Sequence, residues 1–151
     1  TKIAGYFKSD DIQGHQRYSG FISELYRSGL IIPDENVFWY TTETKEALFD
    51  DPEEVLKRLG DNTAVVCYND EVAFGLVKCL LSNGRRIPED IAVVSFDNSS
   101  LSRISQVPIT SLSYEDRNIG RIAAQKLVDI LNGREVSSEV LPWTFIQKES
   151  S

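Results

Sequence analysis

Short apolar runs alternate along this chain with longer stretches in which apolar residues recur at spacings of three and four. Runs of the first kind have the length of β-strands, whereas the second spacing places apolar side chains on one face of a helix. The predicted strands are 3–7, 37–41, 64–68, 91–96, 109–113 and 140–146. The predicted helices are 13–28, 44–60, 70–83 and 115–132. The pattern assigns no element to the polar stretch 98–106.

This order of elements predicts the fold class. Strands separated by helices form βαβ units, so we expect an α/β fold with a parallel sheet and helices on both faces. Runs 64–68 and 91–96 are apolar throughout, as strands covered on both sides must be. Asp51-Pro52 can break the second helix in two, because proline lacks a backbone donor. No linker divides the 151 residues, which are enough for one domain.

Charge and composition narrow the function classes. The formal net charge is −7 and Arg85-Arg86 is the densest basic spot, so a bare nucleic-acid-binding surface is not expected here. Cys67 and Cys79 lie in apolar runs, which indicates buried thiols rather than a disulfide or metal site. The chain has no long apolar span and no signal-peptide pattern, so we expect a cytoplasmic protein without a membrane partner. It opens at Thr1-Lys2 directly into a strand, which suggests a piece of a longer protein.

Short polar side chains follow the predicted strands, where ligands of parallel sheets bind. Amides, hydroxyls and carboxylates suit a polyhydroxylated ligand, whose hydroxyls both donate and accept hydrogen bonds. These residues are Lys8, Ser9, Asp10 and Asp11 after the first strand, Thr41, Thr42 and Glu43 after the second, Asn69 and Asp70 after the third, and Asp97 and Asn98 after the fourth.

Each of these residues also has an interpretation without a ligand. Asp70 occupies a helix N-cap position, and capping alone would explain it. Asn69 is equally compatible with a turn, and Asp10-Asp11 with a solvated turn. Arg17 is more informative, since a cation near the start of a helix opposes the helix dipole and therefore requires another reason.

The sequence contains no recognisable catalytic set. His15 is its one histidine, and we expect it on the surface. No nucleophile elbow, zinc-protease helix, phosphate-binding loop or dinucleotide fingerprint occurs. We therefore expect neither an enzyme nor a cofactor or metal.

Four motifs in the same order and spacing resemble the lactose/galactose-repressor family of bacterial regulators, and the resemblance covers essentially the whole chain. The motifs are 17–21 (RYSGF), 63–75 (TAVVCYNDEVAFG), 86–97 (RIPEDIAVVSFD) and 108–112 (PITSL). Within the family, the loop 7–14 (FKSDDIQG) is most similar to the arabinose-responsive subgroup. One departure is Ser95, where the family usually has glycine, and it should tighten the backbone while leaving Asp97 in place.

The resemblance implies one lobe of a two-lobed module like the periplasmic sugar-binding proteins. Residues 1–151 would form the second lobe with the closing crossover elements, and the DNA-binding domain would lie outside this chain. The family's ligand contacts correspond to Arg17, Asn69 and Asp97, with Thr42 and Asp11 near other contact positions. Lys8 joins this set only through its place at a strand end.

The function implied is sugar sensing, with L-arabinose as the expected effector. A sugar held between the lobes would shift a population toward a closed state and change the affinity of a homodimer for operator DNA. Arg17 and Asp97 would hold opposite sides of the sugar. Trp39 or Tyr40 could stack on it, although both are better explained as core.

Two other functions remain open at this point. The first is a periplasmic-type sugar-binding protein of a transporter, and the second is a small enzyme acting on sugars, which the missing catalytic set disfavours. For the homodimer, the resemblance implies contacts through the helix that begins near residue 70 and the loop 99–104. Val72 and Leu76 are then expected to face the partner, unless that helix is buried only against its own sheet.

Overall fold

A computed structural model of the chain describes residues 2–114 and 119–151. Its centre is a six-stranded sheet in the order β2-β1-β3-β4-β5-β6. The first five strands are parallel, and β6 runs antiparallel to β5. The strands are β1 (Ile3–Lys8), β2 (Val37–Tyr40), β3 (Ala64–Cys67), β4 (Ala92–Phe96), β5 (Thr110–Ser113) and β6 (Thr144–Ile146). The predicted α/β class is confirmed.

Five α-helices lie in the described part of the chain and connect the strands. They are α1 (Ile12–Arg27), α2 (Pro52–Leu59), α3 (Asp70–Ser82), α4 (Ser100–Ile104) and α5 (Ile119–Leu131). Asp11, Asp51 and Asn69 cap the first three through their side-chain oxygens, which accept hydrogen bonds from backbone N–H groups of the first turn. The predicted break at Asp51-Pro52 is confirmed, because a 3₁₀ turn at Lys45–Ala47 precedes α2 as a separate element.

Helices cover both faces of the sheet, as expected. On one face, α2 and α3 bury the main core against Tyr6, Phe38 and Val65. Leu59 of α2 and Leu76 of α3 are almost completely buried there. On the other face, α1 packs through Tyr18 and Phe21 against the ring of Phe7. The alternation of side chains along each strand thus supplies two separate apolar surfaces.

Both thiols lie in the interior, as predicted. Cys67 and Cys79 are free and buried, and burial raises the pKa of each thiol above its ordinary value. The protonated, enclosed form of cysteine behaves as a small hydrophobic side chain.

Two expectations from the sequence need correction. The stretch 98–106, which was assigned no element, contains the short helix α4. The last strand begins at Thr144 rather than at Val140, which is almost fully exposed. The predicted helix 115–132 is seen from Ile119, and its residues 115–118 lie outside the described part of the chain.

The expected partner-facing residues of α3 are also wrong. Val72 and Leu76 are 2% and 0% exposed and belong to the core of this chain. Seven of the thirteen positions of α3 are buried, so the side chains near its outer face are Phe74 and Lys78 instead. The apolar spacing of three and four did not distinguish the two faces because α3 is apolar over most of its circumference.

The last part of the chain differs from the rest, and we call residues 119–146 the closing segment. None of the residues Ile119–Leu131 of α5 is buried. The large apolar side chains that the closing segment exposes are Ile119, Leu127, Val128, Ile130, Leu131, Val140, Trp143 and Phe145. Across residues 2–114 and 119–151, no helix combines the length and the apolar character needed to cross a bilayer.

Candidate functional site

The carboxyl ends of the parallel strands bring together most of the polar residues singled out in the sequence. Lys8 ends β1, Thr42 follows β2, Asn69 follows β3 and Asp97 follows β4. The first turn of α1 lies over the same edge, since a Cβ at Gly14 would collide with the carbonyl oxygen of Lys8. Glycine at this position therefore allows α1 to start directly above the end of β1.

Arg17 is the best-defined side chain of this edge. Its Nη2 donates a hydrogen bond of 2.9 Å to Oδ1 of Asp97, and its Nη1 donates to the carbonyl oxygen of Tyr68. The guanidinium carbon lies 4.7 Å from the ring centre of Tyr68 and 4.6 Å from that of Phe96. Two rings and two hydrogen bonds fix the guanidinium plane, and its side chain is only 10% exposed.

Asp97 reaches Arg17 from an unusual backbone conformation. Its φ is +96° and that of Asn98 is +45°, values that non-glycine residues rarely adopt, although Asn and Asp tolerate them best. The Asp97 side chain remains 43% exposed, so its carboxylate faces both Arg17 and solvent. The expectation that Arg17 and Asp97 grip opposite sides of a ligand is wrong, because their polar atoms are in direct contact and act from one side.

Asp11 connects the first turn of α1 to the neighbouring strands. Its Oδ1 accepts the capping bond from the Gly14 N–H at 2.6 Å, and its Oδ2 accepts a bond of 2.7 Å from the hydroxyl of Tyr68. Lys8 Nζ lies 3.2 Å from the same Oδ2 and 3.6 Å from Asp10 Oδ1. Lys8 and Asp11 are therefore paired with each other in this arrangement.

Thr42 joins the same edge through its backbone. Its N–H donates a hydrogen bond of 2.9 Å to Oδ2 of Asp10, and its side chain is exposed to solvent. The turn after β2 is thereby attached to the loop after β1. A continuous series of contacts thus runs from Thr42 through Asp10, Lys8, Asp11, Tyr68 and Arg17 to Asp97.

Asn69, rather than Asp70, takes the capping role that the sequence assigned to Asp70. Asn69 is the N-cap of α3, and its Oδ1 accepts a bond of 3.1 Å from the Val72 N–H. Asp70, expected to be the cap, is instead the first helical residue and is 1% exposed. A buried carboxylate needs several donors, and Asp70 finds them on Ser95, Ser99 and Ser111.

The protonation of the edge follows from its hydrogen bonds. Partial burial opposes ionisation of Asp11, but bonds from Gly14, Tyr68 and Lys8 outweigh burial and lower the pKa of Asp11 below its usual range. The pKa of Asp10 is lowered chiefly by the backbone N–H of Thr42. Burial, assisted by the bond to Asp11, raises the pKa of Tyr68 to about 12, so its hydroxyl remains a donor at neutral pH.

These residues form an open polar edge beside a larger apolar groove. The groove has a volume of about 670 Å³ and lies between α1 and the sheet, with Val66, Val94 and Phe21 among its walls. Arg17 and Phe96 line its upper end, together with Trp143 of the closing segment. Within the described ranges, no group of three His, Cys, Asp or Glu side chains is placed to hold a metal ion.

Sequence reasoning missed the residues that support Arg17 and Asp97. Tyr68 and Phe96 are the last residues of apolar runs, and nothing in the pattern distinguished them from core. Tyr40 is buried, in agreement with its assignment to the core, whereas Trp39 is 41% exposed and contacts Tyr18 of α1. His15 is exposed as predicted.

Comparison with known proteins gives a consistent set of relatives. The family described as "Periplasmic binding protein-like domain" matches residues 1–151. The arabinose metabolism transcriptional repressor of Halalkalibacterium halodurans is 35% identical over 135 residues, which are 86% of this chain and 35% of that protein. Its counterpart in Geobacillus stearothermophilus is 33% identical over 138 residues, covering 89% of this chain and 38% of that protein. The chain thus spans somewhat more than a third of these relatives.

Solved structures lead to the same group of regulators. The complex of the transcriptional regulator CelR with cellobiose has a TM-score of 0.82 and 28% identity, covering 99% of this chain and 46% of that one. A dimeric Lac repressor has a TM-score of 0.85 with 20% identity over 99% of this chain and 55% of that one, which shows the shared fold.

Proposed function

Because this chain belongs to the periplasmic binding protein-like domain family, in its lactose/galactose-repressor branch, we propose that it forms one wall of a sugar site in a bacterial transcriptional repressor. The observation that carries the proposal is the Arg17–Asp97 pair at the carboxyl edge of the sheet, in which the Arg17 guanidinium lies over two aromatic rings. Ligands of parallel sheets bind at this edge.

The pair suits a vicinal diol. A guanidinium only donates and a carboxylate only accepts, so one sugar hydroxyl can accept from Arg17 while it or its neighbour donates to Asp97. The Arg17 side chain is already immobilised, and binding would therefore cost little side-chain entropy. Lys8, Asp11, Thr42 and Asn69 extend the same edge and would contact the remaining hydroxyls.

L-Arabinose is the effector that the relatives favour. Two arabinose metabolism repressors are 33–35% identical to this chain, whereas the solved structure of CelR, at 28% identity, is a complex with cellobiose. The loop 7–14, which contains Lys8 and Asp11, also resembles the arabinose-responsive subgroup. A regulator acting on sugar in this way would work in the cytoplasm and contact operator DNA through a domain outside this chain.

The open edge supports a site that needs a second wall. Asp97 is 43% exposed and Thr42 faces solvent, so a sugar bound here would be covered on one side only. A second lobe that closes over the edge would complete the site, and preference of the sugar for the closed state would then shift the population. In this proposal residues 1–151 are the second lobe with its closing elements.

Isothermal calorimetry of the full-length protein tests the site with L-arabinose, other pentoses, hexoses and cellobiose. Arg17→Ala or Asp97→Ala should weaken binding by about 2 kcal/mol or more, because each leaves a charged partner unpaired in a desolvated site. Arg86→Ala is the matched control, since Arg86 forms a charged pair with Asp90 on the exposed surface. Unchanged titrations for both site variants would exclude the pair from the site.

We also propose that the protein is a homodimer and that the outer surface of α3 and α4 contributes to the contact. Ile104 is 69% exposed and borders a groove with Phe74 and Lys78. A two-fold contact is self-complementary, so a charge introduced once appears twice and opposes itself. This surface replaces the one expected from Val72 and Leu76, which are buried.

Analytical ultracentrifugation of Ile104→Glu tests the dimer surface. The variant should sediment with a larger monomer fraction than the wild type and keep its circular dichroism spectrum. Ile31→Glu is the control, because Ile31 is 90% exposed elsewhere on the chain. An equal loss of dimer in both variants, or in neither, would contradict this surface.

A further inference from the structure

Below the loop that carries Asp97, a buried group of polar residues occupies the space between α3, β4 and β5. Asp70, Ser95 and Ser111 form this group, which we call the Asp70 cluster, and they are 1%, 2% and 0% exposed. Buried polar side chains are stable in an interior only when they are hydrogen-bonded, so the partners of this group show what it holds in place.

The cluster contacts the loop at two successive backbone groups. The N–H of Ser99 donates to Oδ2 of Asp70. The N–H of Asn98 donates a bond of 3.0 Å to the hydroxyl of Ser111, which in turn donates a bond of 2.7 Å to Oδ1 of Asp70. The Asp70 carboxylate therefore holds the backbone directly after Asp97.

Ser95 adds a contact from within the sheet. Its hydroxyl donates to Oδ1 of Asp70 and lies 3.3 Å from the hydroxyl of Ser111. A glycine at this position could not supply that donor.

The loop needs such a hold because its backbone is strained. Asp97 and Asn98 both have positive φ values, and conformations of this kind persist only where the surroundings determine them. The Asp97 N–H also donates to the Leu112 carbonyl at 2.8 Å, so the loop is fixed before and after the residue that meets Arg17.

We propose that Asp70 is a positioning residue of the sugar site, acting through Ser111 and the Ser99 N–H to hold Asp97 against Arg17. The expected effect of Asp70 on sugar affinity rests on the proposed function, whereas its expected effect on the loop that carries Asp97 does not. Asp70 itself is enclosed and would not touch the sugar.

The first test is Asp70→Asn in the full-length protein. It replaces one acceptor oxygen by a donor of the same size, and should raise the dissociation constant for sugar about tenfold. Amide hydrogen exchange at Asn98 and Ser99 should accelerate by a similar factor, while exchange in β1 and β3 stays unchanged. Uniform acceleration throughout the sheet would indicate a general stability role and overturn the proposal.

A pair of variants at Ser111 keeps the proposal testable if Asp70→Asn does not fold. Ser111→Thr keeps the hydroxyl, and Ser111→Val replaces that hydroxyl of threonine by a methyl group of similar size. The two variants therefore differ from each other only in the hydrogen bonds of residue 111. Thr should keep sugar affinity near that of the wild type, and Val should lose it about tenfold. Val55→Ala on α2 is the control, since it weakens the core beside Tyr6 and Phe38 and leaves the residues of the cluster unchanged.

The outcomes separate the two proposals. If the wild-type protein binds none of the sugars, the proposed function fails, and hydrogen exchange at Asn98 and Ser99 still decides whether Asp70 holds the loop. If sugar binds and the folded Asp70→Asn protein keeps wild-type affinity, the positioning role is wrong while the proposed function stands.

Discussion

The helices of the sheet domain, residues 2–113, and of the closing segment, residues 119–146, have the same spacing of apolar residues. These residues are buried in the sheet domain and exposed in the closing segment. In the sheet domain, apolar positions of α2 and α3 lie against Tyr6, Phe38 and Val65 and are enclosed. In α5, apolar residues at helical spacing are exposed, and Leu131 is 76% accessible to solvent. The periodicity therefore indicates which face of a helix is apolar, but not whether another part of the protein covers that face.

The contrast supports the proposed second wall of the sugar site, which would also cover the closing segment. Exposed apolar surface on this scale marks an interaction site in soluble proteins. β6 returns to the sheet and pairs with β5, and Ser150 beyond it is completely buried between Pro108 and Val93. The segment is thus anchored after α5 while the helix itself remains uncovered.

The largest expected effect compares one leucine from each region. Leu76→Ala should lower the free energy of unfolding by about 2–5 kcal/mol, because it opens a cavity in the core. Leu131→Ala in the same chain should change it by less than about 0.5 kcal/mol, since its side chain is exposed. Urea unfolding followed by circular dichroism measures both. Similar losses for the two variants would remove the distinction between the regions.

A second measurement compares one charged substitution in the full-length protein and in the 151-residue chain. If another lobe covers α5, Leu131→Asp should cost about 1.5–3 kcal/mol there and almost nothing in the 151-residue chain, since a buried leucine contributes that much. Val140→Asp is the comparison, because Val140 is 95% exposed and lies outside the helix. Equal, small costs in both contexts would show that α5 remains uncovered.

Most of the sheet domain could be predicted from sequence, because its signals are local. Apolar runs marked five parallel strands, and glycines marked the ends of the helices. The short helix α4 was not predicted, because its five residues mix polar and apolar side chains without a continuous apolar face and therefore resemble a loop. The start of β6 was predicted wrongly, because it is set by pairing with β5, a tertiary contact that the apolar pattern does not contain.

The residues of the candidate site could be singled out one at a time, but their geometry could not be predicted. Strand-end placement singled out Asp97 and Asp11, and the helix dipole singled out Arg17, whereas their mutual contacts join distant parts of the chain, such as residues 17 and 97. The cap of α3 is Asn69 rather than Asp70 because the helix start differs by one residue, a shift that sequence signals do not resolve. Burial of Asp70 was therefore invisible in the sequence.

A smaller effect is the pH dependence that Asp11 gives to the stability of the sheet domain. Hydrogen bonds from Gly14, Tyr68 and Lys8 hold the pKa of Asp11 below its ordinary value. A carboxyl whose pKa is lowered by folding stabilises the native state above its ordinary pKa, and this stability is lost as the pH falls through the lowered value. Asp11→Asn should therefore be about 1 kcal/mol less stable than the wild type near pH 6, with the difference shrinking below pH 4.

Urea unfolding at several pH values measures this difference. Asparagine is also a good N-cap, so the variant separates the charge of Asp11 from its capping role. Asp34→Asn, on a turn remote from this edge, is the control for a general change in net charge. A difference between wild type and Asp11→Asn that stays constant down to pH 2 would contradict the assigned sign.

The smallest effect contrasts one surface ion pair in each region. Lys45 lies 2.9 Å from Glu71 and joins the 3₁₀ turn to α3, whereas Lys126 lies 3.4 Å from Glu139 and also donates to the carbonyl of Ser137. Exposed pairs contribute about 0–1 kcal/mol and are screened by salt. Lys45→Ala should lower the free energy of unfolding within that range, and 1 M salt should reduce the difference.

Lys126→Ala should leave global unfolding unchanged, because the helix that carries it buries none of its residues and contributes little to the cooperative core. Its effect should appear locally, as faster proteolytic cleavage between residues 134 and 143, where the bond to Ser137 and the pair with Glu139 attach the connection to α5. If Lys126→Ala instead shifted the urea midpoint as much as Lys45→Ala, the closing segment would unfold together with the sheet domain. The exposed apolar face of α5 would then belong to the same cooperative unit as the core.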